Sequence, residues 1–93
     1  MIVWNEEKNL KLKAERGISF EDVELAIIED RILDILEHPN KDEYPNQKLL
    51  IVEIDNYAYI VPYVEERNGN IFLKTIFPSR KYTKKYLRGD KND

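Results

Sequence analysis

Several residue types are absent or scarce, and each absence removes a class of protein. The 93-residue chain has no cysteine, so disulfide bonds and thiol chemistry are excluded. It has a single histidine, His38, and no spacing of acidic residues around it is typical of a metal site. No apolar run approaches the ~20 residues of a membrane-spanning helix, and the first residues do not resemble a signal peptide. We therefore expect one cytoplasmic domain that needs no metal or cofactor and makes no membrane contact.

Positive charge is scarce over most of the chain and concentrated near one end. Residues 1–66 hold seven basic and sixteen acidic residues, a balance of −9, and the last five residues add −1. Residues 67–88 contain no acid and seven basic residues, which restores the net charge to −3. The basic residues of this stretch are Arg67, Lys74, Arg80, Lys81, Lys84, Lys85 and Arg88. An acidic protein with one strongly basic segment indicates a local phosphate-binding surface.

The first third of the chain predicts a short strand and a helical hairpin. Ile2 to Trp4 form the strand, and Asn5 is a good cap for a helix that runs to Arg16 and ends at Gly17. Leu10 and Ala14, four residues apart, are expected to share its buried stripe. Ser19 and Asp22 form a capping box for the second helix. Its buried face is expected to comprise Phe20, Val23, Ala26 and Ile27.

The remainder predicts an antiparallel meander that is closed by a short helix. Strands are expected at 32–36, 49–54, 57–64 and 71–77, with Asn68-Gly69 as a type I′ turn before the last of them. Pro62 cannot donate to a strand ladder, so we expect an edge position or a bulge there. Ser79 can cap a helix to Leu87, and residues 89–93 are expected to be a flexible tail. The predicted fold is therefore α+β, with an antiparallel sheet of about four strands.

Several short motifs occur along the chain in a defined order. They are Trp4-Asn5-x-x-Lys8, Gly17-Ile18-Ser19-Phe20, Val61-x-Tyr63, Glu65, Arg67 and Ser79-Arg80-Lys81. In order and spacing they resemble the motifs of the BrnT family, which are RelE-like ribonuclease toxins of bacterial toxin–antitoxin systems. The first two correspond to the family's W-[DN]-x-x-K and H-G-[IV]-S-F motifs. The family commonly has histidine where this chain has Arg16, and asparagine where it has Leu12.

The resemblance implies a metal-independent endoribonuclease that cleaves mRNA and blocks growth. Such cleavage requires removal of the 2′-hydroxyl proton, neutralisation of the phosphorane and protonation of the departing 5′-oxygen. We expect Arg67 and Arg80 to bind the phosphate, Glu65 to act as base, and Tyr63 to donate a proton or stack on a base. Further RNA contacts are expected from Lys8, Arg16, Lys81, Lys84 and Arg88. The implied partner is a ribbon-helix-helix antitoxin, in a toxin–antitoxin hetero-oligomer.

Other interpretations of the same residues remain open. A basic row on a terminal helix is often only a solvated face, and strand tyrosines are more often packing residues than base platforms. Arg16 at a helix C-terminus is favoured by the helix dipole alone. The alternative function is a non-catalytic module of the same fold that binds RNA or protein. A protein whose basic helix contacts DNA is a third hypothesis, which the acidic total disfavours.

Overall fold

A computed structural model describes residues 1–89 of the chain. The predicted tail therefore lies outside the described residues, apart from Gly89. The nine elements, in chain order, are β1 (Ile2–Trp4), α1 (Glu6–Arg16), α2 (Phe20–Ile28), β2 (Ile32–Glu37), β3 (Gln47–Ile54), β4 (Tyr57–Glu65), β5 (Ile71–Leu73), β6 (Phe77–Pro78) and α3 (Arg80–Leu87). The α+β class predicted from the sequence is confirmed, and helices are present in the three regions predicted to be helical, whereas the arrangement of the strands differs from the prediction.

The ends of the first two helices follow from their capping residues. The Asn5 side chain accepts a hydrogen bond from the backbone N–H of Lys8 at 2.9 Å, and α1 ends at Gly17, whose φ of 67° is left-handed. In α2 the Ser19 hydroxyl accepts from the Asp22 N–H while the Asp22 carboxylate accepts from the Ser19 N–H. The capping box thus satisfies two of the backbone donors that a helix start leaves free.

The predicted buried stripe of α1 is wrong. Leu10 and Ala14 are exposed, and the helix instead buries Asn9 and Leu12, of which Leu12 belongs to the hydrophobic core. Asn9 is fully buried because its side-chain oxygen accepts a hydrogen bond from the backbone N–H of Phe20. Predictions from hydrophobic periodicity place asparagine on the surface. They therefore miss a buried helix face whose central residue is an asparagine with its hydrogen bonds satisfied.

The sheet is mixed and has six strands, rather than about four antiparallel ones. Strands β2 to β5 form the predicted antiparallel meander, and β6 pairs with β4. β1 adds a parallel edge, pairing with β5 in the register Ile2 to Ile71 and Trp4 to Leu73. The Trp4 ring stacks on Phe20 with 5.7 Å between ring centroids. The sequence did not predict this pairing, because its two strands lie at opposite ends of the chain.

The two-residue turn is not where the Asn-Gly pair predicted it. Asp55 and Asn56, between β3 and β4, both have positive φ, at 52° and 63°. In the described residues, Gly69 has positive φ but Asn68 does not. The β4–β5 connection is a longer loop, in which the Gly69 N–H donates to the Glu66 carbonyl at 2.9 Å. A longer loop relaxes the requirement that both central residues be left-handed.

Pro62 lies in the central strand β4, opposite an irregularity in the neighbouring strand. The predicted strand Ile71–Phe77 is interrupted, and three residues, 74–76, face only Val61 and Pro62. The Lys74 N–H donates to the Pro62 carbonyl at 2.8 Å. The predicted bulge is therefore present, in the partner strand. Pro62 is tolerated there because the ladder on that side of β4 is already interrupted.

Candidate RNA-binding surface and a separate polar groove

Helix α3 is held on the sheet by hydrogen bonds from its middle and from its last turn. At its middle, the Thr83 hydroxyl donates to the Ser79 carbonyl at 2.7 Å and accepts from the Ala58 N–H at 2.8 Å. Near its end, the Tyr86 hydroxyl donates to the Asp34 carboxylate on β2 at 2.5 Å. The position of α3 on the sheet is therefore set by side chains that the charge pattern did not single out.

The helix crosses the sheet on the face opposite the α1–α2 hairpin. Side chains alternate along a strand, so Tyr59, Val61 and Tyr63, which pack with the hairpin, point away from Ile60. Asp34 is in register with Ile51, and Ile51 with Ile60, so all three lie on the Ile60 face. Because Tyr86 reaches Asp34, α3 lies on that face too. The basic helix and the acidic hairpin thus occupy opposite sides of one sheet.

Five basic side chains of α3 and its C-cap are exposed, and the segment contains no acid. They are Arg80, Lys81, Lys84, Lys85 and Arg88. Within residues 1–89, none of the five forms an ion pair with a carboxylate. Lys81 and Lys85 lie over the rings of Tyr82 and Tyr86, at 5.5 and 5.3 Å from their centroids. We refer to these five residues as the α3 basic surface.

One member of the α3 basic surface has a structural contact as well. The Arg88 guanidinium donates to the Asn56 backbone carbonyl at 3.1 Å and to its side-chain oxygen at 3.3 Å. It therefore braces the β3–β4 turn. Arg80 and Lys84 lie four residues apart, one above the other on the helix, and make no side-chain hydrogen bond within the described part of the chain. These two cations are the ones most available to a phosphate backbone.

A polar groove of about 300 Å³ lies at the other end of β4. Two of the predicted catalytic residues, Tyr63 and Glu65, line it together. The remaining lining residues are Glu37, Pro45, Asn46, Gln47, Lys48 and Val64. Tyr63, Lys48 and Glu37 occupy one register row across three strands. The groove therefore combines a phenol, a cation and two carboxylates.

The charges in the groove determine which groups can donate protons. Burial raises the pKa of the Tyr63 phenol, and the Glu65 carboxylate raises it further. Tyr63 therefore keeps its proton at neutral pH, and its hydroxyl is available as a hydrogen-bond donor. The Lys41 ammonium, 2.6 Å from the Glu37 carboxylate, lowers the pKa of Glu37, so this carboxylate is ionised at neutral pH.

The predicted joint site of Arg67 and Arg80 is not formed. Ser79, next to Arg80, donates its N–H to the carbonyl of Ala58 at one end of β4. Arg67 follows Glu65 at the other end. At 3.3 Å per residue, Ala58 and Glu65 are about 23 Å apart. Two guanidinium groups at opposite ends of a strand cannot bind one phosphate, so the prediction that they converge is wrong.

Arg16 and Lys8 do not close a pocket with α3 either. The Arg16 guanidinium donates to the Ile76 carbonyl at 2.6 Å, which anchors the end of α1 to the interrupted strand. Lys8 lies half-buried in the first turn of α1. Both residues belong to the hairpin, on the opposite side of the sheet from the α3 basic surface. The structure therefore does not bring Lys8 and Arg16 together with the α3 basic surface.

Sequence reasoning missed the groove residues Glu37, Asn46, Gln47 and Lys48. Lys48 did carry a signal, because it continues the alternation of Leu50, Val52 and Ile54 on the hairpin face of β3. A lysine at the end of an otherwise apolar row indicates that the row reaches solvent at that point. Within residues 1–89 no group of three or more potential ligands is arranged to hold a metal ion. No helix in that range has both the length and the apolar character that crossing a bilayer requires.

Comparisons of the chain with protein-family models, with characterised proteins and with solved structures found no match to any of them.

Proposed function

We propose that this protein binds RNA through the α3 basic surface. The observation that carries the proposal is five exposed cations on one short segment with no acid among them and no ion pair to a described carboxylate. Exposed cations that form no close ion pair attract a phosphate backbone and release its counterions. The rest of the chain is acidic and would repel RNA, so binding is oriented onto α3.

We further propose, from the resemblance of its motifs to the BrnT family, that the protein is a cytoplasmic toxin that cleaves mRNA without metal. The groups available at the groove end of β4 are Glu65, Tyr63 and Arg67. Glu65 would take the 2′-hydroxyl proton as the 2′-oxygen attacks phosphorus, and Arg67 would stabilise the phosphorane. Tyr63 would donate to the departing 5′-oxygen. Arg80 is assigned to binding rather than to chemistry, and a ribbon-helix-helix antitoxin is the proposed inhibitor.

A non-catalytic RNA-binding module is the second candidate, and one observation favours it. The four residues predicted to act together are divided between the two ends of β4, so phosphate binding by α3 does not place the RNA at Glu65 and Tyr63. RNA binding is common to both candidates. Cleavage alone separates them.

The test is induction of the chain in bacteria, with growth, RNA integrity and RNA binding by the purified protein as readouts. Arg80→Ala with Lys84→Ala removes two of the five cations, and Lys11→Ala with Lys13→Ala removes the same charge from α1. Weaker RNA binding in the first pair but not the second is expected. Equal loss in both pairs would contradict binding by α3.

Glu65→Gln separates the two candidates. A ribonuclease loses RNA cleavage and growth inhibition in this variant while it keeps RNA affinity. A binding module shows intact RNA in the wild type already. Duplex DNA that competes as well as single-stranded RNA would instead support the DNA-binding hypothesis.

A further inference from the structure

Four large apolar side chains are exposed along one continuous stretch of the chain. Leu25 and Ile28 in α2 are 49% and 73% exposed, and Ile32 and Ile35 in β2 are 36% and 51% exposed. Leu25 and Ile28 are neighbours on the helix surface, and only a three-residue turn separates Ile28 from Ile32. Single exposed apolar residues are ordinary, but four on one helix and on the strand that directly follows it mark an apolar surface. We refer to these four residues as the α2–β2 shelf.

The shelf marks the place where the helical layer stops one strand short of the sheet edge. β2 is an edge strand that pairs with β3. Ile35 is in register with Leu50, which belongs to the core beneath the hairpin, so Ile35 faces the hairpin side. Leu50 is buried there, whereas Ile35 is half exposed. One further helix beside α2 would cover β2 and complete this layer.

The border of the shelf is strongly acidic. Residues 21–37 contain seven acids, and their single basic residue is Arg31. Arg31 is already paired with Glu29, with 2.8 Å between nitrogen and oxygen. Glu24 and Asp30 make no ion pair or side-chain hydrogen bond within residues 1–89. The surface therefore favours a cationic partner and opposes a second copy of the same acidic shelf.

The free edge of β2 is poorly suited to the addition of a strand. The register between β2 and β3 shifts between Ile32 and Asp34, which marks a bulge. The Ile35 N–H donates to the Asp34 side chain at 2.8 Å, so this donor is not available to another strand. Bulges and internally satisfied donors are features that prevent edge-to-edge pairing. The occupant that fits is therefore a helix packed on side chains.

We propose that the α2–β2 shelf is the docking surface for a cationic amphipathic helix of a partner protein. Apolar residues of that helix, spaced at i, i+3 and i+4, pack on Ile28, Ile32 and Ile35. Its lysines and arginines face Glu24 and Asp30. The shelf and the α3 basic surface lie on opposite sides of the sheet, so the partner leaves α3 uncovered. This interaction does not depend on RNA binding or on cleavage.

The test is titration of the ¹⁵N-labelled full chain with a synthetic lysine–leucine peptide that has helical amphipathic spacing. A peptide of the same composition in scrambled order is the control for charge attraction. We expect amide shift changes centred on residues 25–37 with the first peptide and much weaker changes with the second. Shift changes spread over all acidic surfaces, or equal for the two peptides, would overturn the proposal.

Variants separate the shelf from exposed apolar surface in general. Ile28→Ser with Ile35→Ser is expected to weaken binding of the amphipathic peptide about tenfold. Leu10→Ser, at an exposed leucine of α1, is the matched control and should have no effect. Glu24→Gln with Asp30→Asn leaves the four apolar residues of the shelf in place and should weaken peptide binding at low salt. An amide spectrum of this variant that matches the wild type shows that its fold is intact. A concentration-dependent dimer that Ile28→Ser with Ile35→Ser abolishes would overturn the proposal in favour of a second copy.

Discussion

The side-chain oxygen of Asn9 accepts a 2.8 Å hydrogen bond from the backbone N–H of Phe20. Its amide nitrogen donates at 2.7 Å to the Glu21 carboxylate. One buried amide therefore connects α1 to the first turn of α2 and satisfies a backbone donor that has no helical partner. The hairpin depends on a polar residue at its centre as well as on apolar packing.

Asn9→Ala should reduce the free energy of unfolding by about 2 kcal/mol, because it leaves the buried Phe20 N–H without a partner. Urea denaturation monitored by circular dichroism measures the change. Asn68→Ala, in an exposed loop, is the control and should change stability by less than about 0.5 kcal/mol. Equal effects of the two substitutions would show that the Asn9 hydrogen bonds contribute little.

Asn9→Asp should give a pH-dependent loss of stability. In the wild type, the hydrogen bond from Asn9 lowers the pKa of Glu21, so its contribution is present above the ordinary pKa of a glutamate and lost on acidification. An aspartate at position 9 places a second carboxylate beside Glu21, so the pKa of Glu21 is raised instead of lowered. The deficit of the variant should be largest at neutral pH and shrink towards pH 4. A deficit that is constant between pH 4 and 7 would contradict the expected repulsion.

Arg16→Ala should affect stability and not RNA affinity. The Arg16 guanidinium donates to the Ile76 carbonyl, and its loss should cost about 1 kcal/mol. Arg80→Ala should do the opposite, with unchanged stability and weaker RNA binding. Thermal denaturation and fluorescence anisotropy with labelled single-stranded RNA measure the two effects. A drop in RNA affinity for Arg16→Ala at full stability would restore the sequence-based assignment of Arg16 as an RNA contact.

Tyr86→Phe should lower stability in a defined pH window. The Tyr86 hydroxyl lowers the pKa of Asp34, and the pKa of Tyr86 is itself raised to about 12. A lowered carboxyl pKa stabilises the fold above the ordinary aspartate pKa, and a raised phenol pKa stabilises it below the ordinary tyrosine pKa. The difference in melting temperature from the wild type should therefore be constant between about pH 5 and pH 9 and shrink outside that range.

Tyr82→Phe is the control for this prediction. Tyr82 lies one turn away on the same helix, 5.8 Å from Tyr86 between ring centroids. Its hydroxyl has no hydrogen-bond partner within residues 1–89, so its removal should leave the pH profile of the wild type. A matching pH dependence in both variants would assign the effect to the tyrosine rings rather than to the Asp34 hydrogen bond.

Removal of two cations from the α3 basic surface should change the salt dependence of RNA binding. For single-stranded RNA, each phosphate contact contributes about 0.7 to the slope of log affinity against log salt concentration. Arg80→Ala with Lys84→Ala should therefore reduce that slope by about 1.4. Affinities measured at several salt concentrations test this. An unchanged slope with lower affinity would mean that the two residues do not contact phosphates.

The elements whose signals are local in the sequence were predicted well. The caps at Asn5 and Ser19 and the helix stop at Gly17 are each decided by one or two side chains and their own backbone. The buried face of α2 follows from a regular apolar period, which needs no knowledge of its partner. The predicted buried stripe of α1 was wrong because the buried face is centred on Asn9. An asparagine can be buried there only because its side chain forms a hydrogen bond with the Phe20 backbone.

The candidate site shows the same division. The sequence located Arg80, Lys84 and their neighbours on one basic helix, since charge and helical period are both read along the chain. The predicted strand at 71–77 lies between Arg67 and Arg80 in the sequence, and the extended segment from β5 to β6 runs along β4, so it carries the two arginines to opposite ends of that strand. Lys48 and Glu37 join Tyr63 in the groove only because three strands align in register.

By itself, the sequence determined where helices begin and end, which residues of α2 are buried, and that positive charge collects near one end of the chain. The tertiary structure decided that β1 pairs with β5, and that α3 and the hairpin lie on opposite faces of the sheet. It also decided that Arg80 lies at one end of β4, whereas Tyr63, Glu65 and Arg67 lie at the other. Local hydrogen bonds and periodicity act within a few residues, whereas strand register and the choice of face depend on packing between distant segments.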